Sequence, residues 1–96
     1  MIYAYVKLTV TNPQALAQYR DVAAPALAKH GGKVESAVKE FTVLDGAPDA
    51  PDAPDAGAIL SFPDKAAAVA WADDPALEHV HALRRSAGGS DILLLG

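Results

Sequence analysis

The sequence predicts an α+β domain of the ferredoxin-like β-α-β-β-α-β kind, with a four-stranded antiparallel sheet. Three observations predict it. Residues 2–10 and 58–62 carry strand patterns, each followed by a Pro-linked helix start. Two Gly-Gly pairs, Gly31-Gly32 and Gly88-Gly89, close the helical stretches. Between the halves lies Ala47-Pro48-Asp49-Ala50-Pro51-Asp52-Ala53-Pro54-Asp55-Ala56, three Ala-Pro-Asp copies that can neither join a sheet nor form a helix, because each Pro lacks an N–H and fixes φ. Each half reads strand, helix, strand, which is the split βαβ order.

In the first strand, Ile2, Ala4, Val6, Leu8 and Val10 alternate with Tyr3, Tyr5, Lys7 and Thr9, giving one strongly apolar face. Asn12 is a helix N-cap and Pro13 fits the first helical position. Leu16, Tyr19, Ala23, Leu27 and His30 then form one stripe at helical spacing. Pro25 removes a backbone hydrogen bond inside this helix and predicts a kink or break near Val22 to Pro25. Residues 33–45 read as a second strand, with Val34, Val38, Phe41, Val43 and Leu44 apolar. The alternation slips between Val38 and Phe41, which predicts a bulge there.

The Ala-Pro-Asp tract becomes an extended hairpin loop over residues 46–57 inside a single domain of residues 1–96. Its regularly spaced acids suit a solvated, polyproline-like segment. The third strand is 58–62, and Asp64 caps the helix that follows. That helix stops at Asp73-Asp74, because Pro75 disfavours helical geometry in the residue before it. A second helical piece, from Pro75 to Ala87, carries Ala76, Val80, Leu83, Arg84 and Ala87 on one side. The last strand, Ile92-Leu93-Leu94-Leu95, is apolar on both faces and so should be covered on both. Two helices cover one face of such a sheet; a second copy of the chain is the simplest cover for the other, which predicts a homodimer.

Composition narrows the function classes. The chain has 96 residues, and of its 49 apolar residues 21 are alanine, so the aliphatic core is thin and oligomerisation is a natural remedy. There is no cysteine, hence no disulfide, thiolate nucleophile or thiolate metal site, in keeping with a reducing, cytoplasmic setting. Net charge is −4 with no basic run longer than Arg84-Arg85, which argues against nucleic acid as a partner. No apolar stretch reaches the roughly 20 residues of a membrane span, and the start of the chain does not read as a signal peptide.

At this point the chain resembles a known family, the bacterial domain of unknown function family 1330 within the dimeric α+β barrel superfamily. The residues that carry the likeness are Asn12-Pro13, Tyr19-Arg20, Pro25 and His30-Gly31-Gly32. They continue with Phe62-Pro63-Asp64, Ala70-Trp71, Asp74-Pro75, Arg84 with Ala87 three residues on, and the closing apolar strand. The resemblance implies a homodimer whose sheets pack face to face and a cleft in each protomer between sheet and helices; it implies no particular reaction. The chain departs from the family pattern at Ala72 and Leu77, where aromatics are usual, at His30, where a Tyr is usual, and at Glu35-Ser36-Ala37-Val38, where an Arg-Gly-Gly-like stretch is usual.

The candidate chemistry is limited to a few side chains. His79 and His81 are two apart on a helix, about 200° around it, so they do not chelate one ion, and no ligand spacing for a metal or motif for a cofactor is present. His81 is the candidate acid–base residue, because an imidazole titrates near neutrality. Arg84 lies on the same helical flank as Leu77 and His81 and reads either as an anion anchor or as the partner of Asp64, Asp73, Asp74 or a strand acid. Tyr19, Trp71 and His30 complete the candidate ligand-binding set; each has a bland reading as core, rim or exposed residue. Tyr3 and Tyr5 suit a dimer interface. The leading expectation is a cleft for a small anionic or polar-aromatic metabolite. A cofactor-free isomerase, lyase or monooxygenase-like enzyme using His81 and Arg84, and a structural oligomer without a ligand, stand beside it.

Overall fold

The structure is a computed structural model that describes residues 1–42, 44–46 and 55–96. Its elements run β1 (Ile2–Val10), α1 (Pro13–Ala28), β2 (Lys33–Val38), β3 (Ala56–Phe62), α2 (Lys65–Asp73), a 3-10 turn (Pro75–Leu77), α3 (Glu78–Ala87) and β4 (Gly88–Leu95). The sheet order is β2-β3-β1-β4 with every neighbouring pair antiparallel. This is the ferredoxin-like α+β arrangement that the strand and helix order predicts. The Ala-Pro-Asp tract, apart from Asp55 and Ala56, and the strand position Val43 lie outside the described residues.

Helix starts follow the sequence closely. Asn12 Oδ1 accepts the Ala15 N–H at 3.1 Å, and Asp64 Oδ1 accepts the Ala67 N–H at 2.8 Å, each satisfying a donor that the helix cannot satisfy itself. At the end of α1, Gly31 takes φ +73°, and Gly32 N–H reaches the Leu27 carbonyl while Gly31 N–H reaches that of Ala28. That double bond pattern is a Schellman closure. Of the kink or break expected near Val22 to Pro25, the break does not occur: α1 is continuous to Ala28. Pro25 lies in the last turn, and Lys29 N–H still reaches the Pro25 carbonyl at 3.1 Å.

Three strand boundaries differ from the sequence reading. β2 ends at Val38, not at 45, and its irregularity falls between Val34 and Ser36. There the Glu35 carboxylate accepts the Ser61 hydroxyl at 2.7 Å, which fastens the extra residue to β3. Phe41 is apolar for a different reason: its ring lies over Gly57, where an added Cβ would come within 3.0 Å of Phe41 Cζ. β3 begins at Ala56, so Ala56 and Gly57 belong to the sheet and not to the loop. β4 begins at Gly88, four residues before the apolar run. Gly88 has φ +149° and passes so close to Thr9 that a Cβ would overlap its carbonyl oxygen, so only glycine lets α3 turn directly into a strand paired with β1.

The core lies on the helix side of the sheet, where Ala4, Val6, Leu8, Leu60 and Phe62 meet Leu16, Leu27, Trp71 and Val80. Among the described residues the opposite face is covered over Gly57 by Phe41 and exposed along β1 and β4. By register Tyr3 pairs with Leu95 and Tyr5 with Leu93, and Tyr3, Leu93 and Leu95 are 43%, 56% and 59% exposed. No helix among the described residues is long and apolar enough to cross a membrane.

Candidate functional site

The site is built on α3. Asp74 is extended because Pro75 follows it, and its side chain caps the Ala76 N–H at 2.9 Å. The chain then re-enters helix with Leu77, Val80, His81, Arg84 and Ala87 as its buried stripe. The predicted stripe was close, but Ala76 is exposed and Leu83 only half-buried, while His81 lies fully inside.

His81 is held at both ring nitrogens. Nε2 lies 3.0 Å from the Trp71 carbonyl oxygen, which can only accept, so Nε2 carries the hydrogen and donates it. Nδ1 is then the acceptor for Arg84 Nη1, 2.9 Å away. The imidazole is therefore neutral. Burial, above all, pushes its pKa below the ordinary 6.5; the Trp71 carbonyl opposes that shift, and the Arg84 charge adds to it. The ring stands edge-on to Trp71 with centroids 4.8 Å apart.

Arg84 is the unusual residue. It is 6% exposed, donates Nε–H to Ser90 Oγ at 3.1 Å, and has its Cζ 5.7 Å from the Tyr19 ring and 5.6 Å from the Trp71 ring. No carboxylate among the described residues lies within ion-pair distance of it. The pairing with Asp64, Asp73 or Asp74 that the sequence left open is therefore not made: Asp64 caps α2, and Asp74 is occupied elsewhere. Arg84 and His81 instead line a cavity of about 330 Å³ with Trp71, Phe62, Ser90 and Leu94. Trp71 Nε1 is buried with no hydrogen-bond partner among the described residues. Arg85 lies at the rim of this cavity, more than half exposed and paired with Glu78 at 2.9 Å.

The structure thus brings His81, Arg84 and Trp71 together and sets Tyr19 against Arg84. Tyr19 also lines a second cavity of about 290 Å³ between α1 and β2–β3. His30 is not brought to the site. Its Nε2 is 2.9 Å from Asp74 Oδ2, the same oxygen that Lys29 Nζ reaches at 2.6 Å. Lys29, His30 and the Ala76 N–H together hold the Asp74 carboxyl far below the usual carboxylate range. His79 is exposed, on a different face from His81, as the helical spacing requires. Among the described residues no three His, Cys, Asp or Glu side chains gather as a metal site would need.

Sequence reasoning missed Ser90. The Gly88-Gly89 pair reads as a helix stop followed by a turn, which hides that Ser90 is already in β4, opposite Leu8 and within reach of Arg84. Ala72, where the resembled family often carries an aromatic, also lines the cavity, and its small side chain leaves space there.

Known structures share this frame. A protein of unknown function from Rhodopseudomonas palustris superposes with a TM-score of 0.75 at 24% identity, covering 98% of this chain and 79% of that one. A "dimeric ferredoxin-like protein of unknown function" from Jannaschia sp. CCS1 superposes with a TM-score of 0.61 at 20% identity, covering 99% and 97%. Both likenesses show the fold alone. No curated protein matches the chain. The family is nevertheless plain: the model of the family described as "Domain of unknown function (DUF1330)" matches residues 1–96 from end to end, and the chain belongs to that family.

Proposed function

We propose that the protein binds a small anionic metabolite in the cavity beneath α2 and α3, with Arg84 as the anchor and Trp71 and Tyr19 packed against the guanidinium. The observation that carries this reading is the buried Arg84 with no carboxylate partner among the described residues. An unpaired buried charge costs several kcal/mol, so a guanidinium placed this way gains strongly from an anion brought by a ligand. A thermal-shift screen of small carboxylates and aromatic acids tests it. Anions should raise the melting temperature of the wild type and fail to do so for Arg84→Gln. If no anion stabilises the wild type at millimolar concentration, the reading falls.

A second reading, with chemistry, draws on one observation: the group that covers His81 Nδ1 is the same Arg84 that an anion would engage. A ligand that pulls Nη1 away would uncover Nδ1 as a base. Proton exchange into a bound ligand by the wild type, absent in His81→Gln, would establish this enzyme reading over simple binding. A ligand-free structural oligomer fits the lined cavity least well.

The unit that carries the site is, in this proposal, a homodimer joined through the bare sheet face. Tyr3, Leu93, Leu95 and Phe41 support it, as a row of exposed apolar groups on a single chain, and the Jannaschia neighbour is itself called dimeric. Light scattering across the micromolar range that returns only monomer would rule this arrangement out.

A further inference from the structure

We infer that the ligand of the Arg84 cavity is a monocarboxylate on a flat, apolar body, and neither a dianion such as a phosphate ester nor a neutral amide. The inference rests on the anion-binding reading above and narrows it to a chemical class.

Three features of the cavity set that class. The first is charge. Arg84 is the only buried cation in the lining, since His81 is held neutral between the Trp71 carbonyl and Arg84, and Arg85 is exposed and already paired with Glu78. One cation balances one negative charge. A second charge on the ligand would sit against Phe62, Ile92 and Leu94 without a partner, which a low-dielectric pocket penalises heavily.

The second is donor geometry. A guanidinium has five N–H groups in one plane. Arg84 uses Nε–H on Ser90 and one Nη1–H on His81, while Nη2 has no partner among the described residues. The two used bonds fix the plane of the fork and leave one Nη1–H and both Nη2–H groups for a ligand, donors that suit a planar carboxylate. His81 and Ser90 thereby act as positioning residues.

The third is the body of the pocket. At about 330 Å³ it stands at the small end of the range for ligand sites. Phe62 and Trp71 line it together with Ile92, Leu94 and Ala68, so most of the ligand beyond its carboxylate meets carbon.

Isothermal titration of the wild-type protein at pH 8 with benzoate, benzamide, phenyl phosphate and acetate tests the class. Benzoate should bind tightest, with acetate, which lacks the ring, and benzamide, which lacks the charge, each weaker by about tenfold or more. Phenyl phosphate, dianionic at this pH, should also be weaker by about tenfold. Phenyl phosphate binding as well as benzoate overturns the single-charge class while leaving an anion site in place. Acetate equal to benzoate overturns the flat apolar body. Benzamide equal to benzoate, or no binding by any of the four, overturns the inference and the anion reading together. Arg84→Lys keeps the charge without the fork and should weaken benzoate by about tenfold; unchanged affinity would show that the fork is not used.

Discussion

Two corners of this molecule each set a histidine beside a basic side chain, and only one of them includes an acid. At the end of α1, Lys29 and His30 share the carboxylate of Asp74, which also caps the turn into α3. Ion pair, cap and helix closure meet there, and every group has its partner. In α3, His81 and Arg84 stand three residues apart and in contact, yet no acid reaches them among the described residues. The first corner joins two elements, α1 and the α2–α3 turn. The second faces a cavity. The difference lies in the missing anion rather than in the kind of residue, and it separates a structural cluster from a binding site.

The largest break in this comparison should come from the platform under Arg84. Trp71 is 3% exposed, packs on Phe62 with ring centroids 5.6 Å apart, and lines the cavity, whereas no aromatic ring among the described residues packs on Lys29 or His30. Trp71→Ala should cost about 3–5 kcal/mol in a urea titration. A loss below about 1 kcal/mol would mean that the aromatic packing is far looser than the geometry states.

The next prediction makes the second corner resemble the first. Ser90→Asp supplies a carboxylate where Arg84 now donates Nε–H to a hydroxyl. With its counterion built in, the unliganded protein should gain about 1–2 kcal/mol, and the stabilisation by added anions should disappear. A variant that still responds fully to anions would show that Arg84 does not hold them.

Much of the frame was legible in the sequence, because it rests on local rules. The caps Asn12 and Asp64, the Gly31-Gly32 closure and the stop before Pro75 are decided within a few residues. Long-range packing decided the places where the reading failed. Pro25 predicts a kink or break, yet α1 runs unbroken through it. Phe41 looks like a strand residue until Gly57 is seen beneath it. The start of β4 was hidden because Gly88 works through its closeness to Thr9, some eighty positions earlier in the chain. The candidate site was legible as side-chain types at helical spacing. What the sequence could not tell is which of its twelve acids is near Arg84, and that absence is what gives the site its character.

Both corners should lose stability in acid but in different pH windows, one through a base kept neutral and the other through an acid kept charged. His81 is neutral in the fold and has a pKa below 6.5, while in the unfolded chain it protonates near 6.5. Between those values the unfolded state binds the extra proton, so stability falls as the pH drops from 7 through 6.5 toward the folded pKa. The slope is at most about 1.4 kcal/mol per pH unit for one such group. His81→Gln should flatten this limb of a stability-against-pH curve, and an unchanged slope would assign it to another group.

Asp74→Asn carries the smallest expected effect and completes the contrast. The amide still offers an oxygen to the Ala76 N–H, so the cap survives and only the charge is removed. Lys29 and His30 lose their shared partner at the surface, where ion pairs contribute little, so the thermal stability should fall slightly at neutral pH. The sign with pH is the same as for His81, with the loss lying in stronger acid. The Asp74 carboxyl is held below 3.8, so its contribution is complete above that value and fades as the pH falls through its folded pKa. The gap between wild type and Asp74→Asn should accordingly close in strong acid. Because this cluster is already satisfied, the substitution should leave anion binding at Arg84 unchanged, and a loss of that binding would mean that the two corners are coupled through α3 rather than independent.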